Sequence, residues 1–293
     1  MNKVIIAGCG YLGQRLALAH QQRGDQVLGL VRSLESQHQL QELGLQAQCL
    51  DLDSPEFALM PSLDECLLYW LVPPPPSGEH DSRSAAFIRL LGSQKPRRLV
   101  LISTTGVYGD CAGAWVDEQR PPNPQVPRAL RRHSAERQWR RWADAAGVKC
   151  VCLRLPGIYG PGRLPRARLE KGLPMLCEAE APWSNRIHVD DLTEVCLRAM
   201  SQAELAALYN VSDSHPSTML DYFNRLADLL GLPRPPQISR RQAEAQLSAE
   251  MMSYLSESRR IDNRNMLRDL QLQLRYPSLA EGLPAAVAAE QGR

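Results

Sequence analysis

Residues 8–13 read Gly8-Cys9-Gly10-Tyr11-Leu12-Gly13, directly after the short apolar run Lys3 to Ala7. A helical pattern continues to Gln22, and Gly24 stops it. Glycines spaced G-x-G-x-x-G between a strand and a helix make a turn suited to phosphate. Gly8 permits the bend, Gly10 lets the backbone approach a pyrophosphate, and Gly13 lets helix and strand pack closely. Tyr11 and Leu12 stand at the helix N-terminus, where free N–H groups and the positive dipole end favour an anion.

Further along the chain, Gln26 to Val31 is a second apolar run, Gln46 to Leu50 a third, Glu65 to Val72 a fourth, Arg98 to Ser103 a fifth and Lys149 to Leu155 a sixth. Helical stretches separate most of them. Buried strands alternating with helices predict an α/β fold: a doubly wound parallel sheet with helices on both faces. Past Gly162 the pattern loosens. Arg163 to Trp183 reads as an insertion or lid, Arg186 to Val189 and Leu208 to Val211 as short strands, Ser217 to Leu230 as an amphipathic helix, and Ser239 to Leu274 as a charged helical tail.

Two positions bear on which dinucleotide fits. An acidic residue after the second strand would bind the ribose 2′-OH of NAD. This chain has Val31-Arg32-Ser33 there, and an arginine pairs with a phosphate. Arg32 therefore favours NADP, with NAD as the alternative and a solvated surface charge as the plain reading. Asp51, at the end of the third run, suits a contact near the adenine or a cap on the next helix.

Composition sets the outer limits. The chain has 293 residues, 44% hydrophobic and 23% charged, with 34 basic and 32 acidic residues. That is enough chain for a sizeable core, and a net charge of +2 argues against non-specific nucleic-acid binding. The only lysines are Lys3, Lys95, Lys149 and Lys171. Eight cysteines are scattered without a C-x-x-C or zinc spacing, which predicts buried thiols, no metal site and a reducing compartment. The apolar stretch Cys66 to Val72 is too short to span a bilayer, and Val4 to Ala7 carries no signal-peptide pattern. A cytoplasmic protein without a membrane partner is expected.

Three further stretches carry a family likeness: Ser103-Thr104-Thr105-Gly106-Val107-Tyr108-Gly109, Arg154-Leu155-Pro156-Gly157-Ile158-Tyr159-Gly160-Pro161-Gly162 and Asn185-Arg186-Ile187-His188-Val189-Asp190-Asp191-Leu192. With the glycine turn, in this order, the chain resembles the extended short-chain dehydrogenase/reductase superfamily, in its NAD-dependent epimerase/dehydratase branch. The turn is one residue tighter than the G-x-x-G-x-x-G usual in extended members, which points to the atypical members. The resemblance implies a Rossmann NAD(P)-binding domain over 1–162 and a smaller C-terminal α/β substrate lobe over 163–293, with 186–211 returning to the Rossmann sheet. It also implies a small polar or sugar-nucleotide substrate and a homodimer through two helices of the Rossmann domain, one carrying Trp139.

The chain departs from the family at its chemistry. Family members use a Tyr-x-x-x-Lys pair, the tyrosine as general acid/base and the lysine to lower its pKa and hold the nicotinamide ribose. The residues four after Tyr11, Tyr69, Tyr108, Tyr159, Tyr209, Tyr222, Tyr254 and Tyr276 are Arg, Pro, Ala, Arg, Asp, Leu, Ser and Ala. The pair is absent. Ala135-Glu136 resembles the family's downstream Ala-Glu, and counting back puts Arg132 near the lysine position and Arg128 near the tyrosine position. Arginine can hydrogen-bond a ribose but does not cycle a proton near neutral pH. Arg132 is therefore expected to hold cofactor, and Arg128 not to transfer protons.

Thr104 aligns with the catalytic hydroxyl; its plain reading is a β-branched strand residue. Tyr108, Tyr159 and His133 are minor candidates for a replacement acid or base. Tyr159 and Arg186 are the expected substrate-binding residues. Asp191-x-x-Glu194 reads as a capping box. The run Arg128 to Arg141 holds six arginines, and Trp139 and Trp142, three apart, should face the sheet beneath a solvated basic face. Two functions fit: an NAD(P)-dependent oxidoreductase with a non-standard site, or a catalytically degenerate NADP(H)-binding regulator.

Overall fold

A computed structural model describes residues 1–54 and 60–292. The strands are β1 (Lys3–Ala7), β2 (Gln26–Val31), β3 (Gln46–Cys49), β4 (Leu67–Trp70), β5 (Arg98–Thr104), β6 (Trp115–Val116), β7 (Lys149–Leu155), β8 (Gly157–Tyr159), β9 (Met175–Leu176), β10 (Trp183–Ser184), β11 (Arg186–His188) and β12 (Leu208–Asn210). The helices are α1 (Tyr11–Gln22), α2 (Leu34–Glu42), α3 (Ser82–Leu91), α4 (Pro127–Ala146), α5 (Arg166–Glu170), α6 (Val189–Ser201) and α7 (Met219–Leu230). Short elements come next, and the chain closes with the helix Leu279–Gln291.

Seven strands form one sheet in the order β12-β7-β5-β4-β1-β2-β3. β1 pairs in parallel with β2 and β4, β2 with β3, and β4 with β5. The doubly wound Rossmann-type α/β fold is therefore present, with the order reversing beside β1, at the end of which the glycine turn lies. In such sheets ligands bind at the reversal, outside the carboxyl ends of the strands.

The chain divides into two compact units. The first is Met1–Val107, Pro124–Arg154 and Thr193–Tyr209; the second is Tyr108–Asn123, Leu155–Leu192 and Asn210–Arg293. The core of the first is built on the sheet from Ile5, Ala7, Leu68, Trp70, Leu99, Leu101 and Cys152, with Phe87 and Trp139 from the helices. Trp139 is fully buried, its ring 4.9 Å from that of Trp70 and 5.5 Å from that of Trp142. Its indole N–H donates to Ser84 Oγ at 3.1 Å, which satisfies the polar edge of a large buried ring. The tryptophans of α4 therefore face inward. The core of the second unit joins Tyr159, Leu169, Met175, Tyr222, Phe223, Leu226, Leu279 and Leu283.

Several local expectations change. Only Leu208–Asn210 of the segment 186–211 joins the large sheet as a strand; β11 pairs in parallel with β8 in a two-stranded sheet of its own. The tail 239–274 is not one helical stretch. It is cut into the short helices Arg240–Gln246, Ala249–Leu255 and Arg264–Asp269, with the strand Arg260–Ile261 pairing with β6. Asp191 does not cap its own helix: α6 begins at Val189, and the Asp191 carboxylate accepts the amides of Arg275 (2.8 Å) and Tyr276 (2.9 Å). Glu194 instead pairs with Arg198 one turn on, at 2.6 Å. All eight cysteines are free thiols.

Candidate active site

The three glycines of the turn differ in what surrounds them. Gly8 has φ +85°, and a Cβ there would stand 2.8 Å from the Val72 nitrogen and 2.9 Å from the Leu71 carbonyl carbon. The bend and the close approach of the β4 end both need glycine. Gly13 would place a Cβ 3.1 Å from Ile6 Cγ2, where α1 packs on β1. Gly10 differs from both: a Cβ there would meet nothing within 4 Å. Gly10 caps α1 without a side-chain hydrogen bond, and no acidic residue stands in the first turn of that helix. The helix thus presents its positive end uncompensated, which suits a pyrophosphate. Tyr11 lies under the Arg15 guanidinium, 4.0 Å from the ring centroid, and Leu12 is buried.

Beside the turn is a cavity of about 230 Å³ lined by Ala7, Gly8, Leu30, Val31, Arg32, Leu50, Leu52, Val72, Pro73, Arg83 and Phe87. Its apolar walls with two arginines have the composition of a site for a flat, phosphate-bearing group. Arg32 is exposed and, among the described residues, makes no ion pair. The Asp51 carboxylate accepts the Asp53 amide at 3.0 Å, a local turn contact. The residues of turn and cavity therefore fit a dinucleotide.

Thr104 ends β5 half-buried, and its Oγ1 accepts the Gly106 amide at 3.1 Å. Arg132 on α4 donates to the carbonyls of Val72 (3.1 Å) and Ile102 (3.4 Å), so it joins the ends of β4 and β5. Burial lowers its pKa from the ordinary guanidinium value. One turn further, Glu136 accepts both Nε (3.0 Å) and Nη2 (2.7 Å) of Arg154. Burial pushes that carboxyl up, but the polar side chains facing it from His133 and Ser103 and the hydrogen-bonded Arg154 charge outweigh it and hold it at about 2. His133 stands 3.6 Å from Glu136.

In the second unit, Tyr108 is buried and donates to Asn210 Oδ1 at 2.7 Å. Tyr159 is 1% exposed, edge-on to His188 with centroids 5.2 Å apart, and burial raises its pKa. Its hydroxyl fills the space where a Cβ on Gly282 would be, 1.9 Å away. Tyr159 is thus a packing residue of the lobe. Arg186 is 9% exposed, with its guanidinium 4.3 Å above the Tyr222 ring. The Arg186 carbonyl accepts the Asp213 amide at 2.6 Å. Burial lifts the Asp213 carboxyl to about 7, against the His215 amide hydrogen bond and the Arg186 charge that lower it.

The family model for the NAD dependent epimerase/dehydratase family matches residues 84–212. Over that stretch the chain is similar to this epimerase/dehydratase family. Protein YeeZ of Escherichia coli (strain K12) is 29% identical over 251 residues, which cover 81% of this chain and 86% of that protein. A conserved protein from Silicibacter pomeroyi DSS is 29% identical, with a TM-score of 0.85 over 100% of this chain and 99% of that one. UDP-glucuronic acid 4-epimerase from Bacillus cereus, solved in complex with NAD, is 17% identical, with a TM-score of 0.78 over 99% of both chains; at that identity the likeness is one of fold.

On α4, Arg132 is committed to two backbone carbonyls. Among the described residues no group of three or more His, Cys, Asp and Glu side chains could hold a metal ion, and no helix is long and apolar enough to cross a membrane.

Four relevant residues escaped the sequence reading. A Cβ on Gly29 of β2 would lie 2.9 Å from Cys9 Sγ in the turn, and a glycine inside a strand was the available signal. Arg83, Asp53 and Asp213 carry no motif and no diagnostic spacing.

Proposed function

We propose that this epimerase/dehydratase-like protein binds NADP(H) in preference to NAD and acts, through a non-standard site, on a small polar or sugar-nucleotide substrate. The observation that carries the cofactor reading is the open Cβ direction at Gly10 beside a cavity lined by Arg32, which makes no ion pair among the described residues. Gly8, Gly10, Gly13 and the α1 N-terminus would hold the pyrophosphate, Arg32 the 2′-phosphate, and Asp51 the adenine side. Arg132 would reach the nicotinamide ribose with the donors its two carbonyls leave over. When bound, the nicotinamide supplies hydride transfer.

Thr104 is the proposed catalytic hydroxyl. Its oxygen accepts the Gly106 amide, which leaves the hydroxyl proton to donate to a substrate oxygen. Arg186 and Tyr159 are assigned to the substrate lobe, Arg186 by charge and Tyr159 by shaping the wall. On the family resemblance alone, a cytoplasmic homodimer completes the proposal.

A second reading, a binding protein without turnover, is favoured by the α4 geometry: Arg132 joins two strand ends and Tyr108 and Tyr159 are buried. General acid–base help contributes ~10²–10⁴-fold in rate, the size of the expected deficit. NADPH oxidation across carbonyl compounds and nucleotide sugars separates the two. Slow turnover abolished by Thr104→Ala supports the enzyme, no turnover with tight NADP(H) binding supports the binding protein, and fast turnover surviving Thr104→Ala removes Thr104 from the site.

A further inference from the structure

We propose that Arg83 is a specificity-determining residue for the dinucleotide: it neutralises Asp53 and so keeps Arg32 available to a 2′-phosphate. The proposal rests on the NADP reading above.

Arg83 enters the cavity from the first turn of α3. Asp81, the N-cap of that helix, accepts the amides of Arg83 (3.0 Å) and Ser84 (3.2 Å) and the Ser84 hydroxyl (2.7 Å). Its carboxylate is occupied locally, and the Arg83 guanidinium turns outward to another acid. Arg83 Nε donates to Asp53 Oδ1 at 2.7 Å and Nη2 to Asp53 Oδ2 at 2.5 Å. That is a two-pronged pair, the geometry in which a guanidinium holds a carboxylate most firmly. Nη1 donates to the carbonyls of Pro73 (3.0 Å) and Pro74 (3.3 Å). Arg83 therefore ties the turn after β3 to the turn after β4.

The charges give this pair its consequence. Asp53 is 42% exposed on its side chain, while Arg83 is 8% exposed. Asp53 also feels the charge of Arg32, and Arg32 and Arg83 line the same cavity. With Arg83 in place, Asp53 is an ion pair already made, and among the described residues Arg32 makes none. Without Arg83, Asp53 becomes a bare anion within reach of the Arg32 charge, which either captures Arg32 or repels an incoming phosphate. Both outcomes penalise NADP through its extra phosphate. NAD, which has no 2′-phosphate, is spared.

The test is a double-mutant cycle read as the ratio of NAD to NADP dissociation constants, measured by calorimetry on wild type, Arg83→Gln, Asp53→Asn and the double variant. Thermal melts verify that each is folded. Arg83→Gln is expected to lower the preference for NADP about tenfold. Adding Asp53→Asn is expected to restore it to within about twofold of wild type, because the bare anion is gone. An unchanged ratio in Arg83→Gln, equal weakening of both dinucleotides, or failure of the double variant to recover would overturn the proposal and leave Arg83 as a structural tie. A wild type that binds neither dinucleotide, or prefers NAD, overturns the NADP reading itself and this inference with it, and wild type alone reveals that.

Discussion

Substituting the three turn glycines one at a time separates what holds the fold from what holds the ligand. At Gly8 a side chain adopts φ +85° and drives a Cβ to 2.8 Å from the Val72 nitrogen. The left-handed backbone costs roughly 1–2 kcal/mol, and overpacking against backbone that cannot swing away costs about 1–3 kcal/mol. Gly8→Ala should therefore lose about 2–5 kcal/mol of stability. At Gly13 the added atom would stand 3.1 Å from Ile6 Cγ2 and 3.2 Å from the Gly8 carbonyl oxygen, a milder crowding without the left-handed backbone, so Gly13→Ala should cost about 1–3 kcal/mol. At Gly10 nothing stands within 4 Å of the added atom. Gly10→Val should leave the urea midpoint near wild type and abolish dinucleotide binding, because the space it fills is where a pyrophosphate would approach. Urea melts report stability, and calorimetric titration of NADP(H) reports binding. If Gly10→Val binds like wild type, the turn is a structural bend and the cofactor assignment falls. If Gly10→Val unfolds as readily as Gly8→Ala, the open direction at Gly10 is wrong.

Arg32→Ala should narrow the preference for NADP over NAD by about tenfold or more, since a charge-assisted phosphate contact is worth roughly 1.5–3 kcal/mol; competitive titration of the two dinucleotides measures it. Gly282→Ala should destabilise the protein by about 1–3 kcal/mol, because the new Cβ meets Tyr159 Oη at 1.9 Å, and adding Tyr159→Phe should recover part of that in thermal melts. Glu136, held at about 2 from an ordinary 4.5, stabilises the fold by an amount fully present above pH 4.5 and lost as pH falls through about 2. Glu136→Gln should cost about 3 kcal/mol at pH 7, and urea melts at descending pH should show the gap to wild type closing between those two values.

The first unit was readable because its physics is repetitive. A strand covered on both faces must be apolar along its length, so β1, β2, β4, β5 and β7 are visible as runs. The lobe offers no such repetition. Its strands β6, β9 and β10 are two residues long, too short for any period. Its final helix, Leu279–Gln291, contains Pro284 and Gly282, residues that ordinarily argue against a helix. It holds because Leu279, Leu283, Ala286 and Val287 are buried along one face, and because glycine at 282 is what lets Tyr159 reach it. The reason for that glycine lies more than a hundred positions away in the chain.

The same division runs through the site. The glycine turn is legible because its chemistry belongs to the backbone, and three glycines at fixed spacing announce the shape. Side chains that act through a distant partner leave no such trace. Arg154 stands in a recognisable motif, yet its partner Glu136 is fixed only by the packing of β7 against α4. Arg83 and Asp53 meet across 30 residues. Arg132 is the sharpest instance. Counting from Ala135-Glu136 locates the position, but not its acceptors at Val72 and Ile102. A fork of N–H groups can bridge two strand ends that a single ammonium would serve less rigidly. The guanidinium of Arg132 thus ties β4 to β5 where the glycine turn leans on Val72. The absence of a Tyr-x-x-x-Lys pair from the sequence and the shape of the glycine turn then meet in one residue: the guanidinium that cannot serve proton transfer braces the strand end against which Gly8 packs.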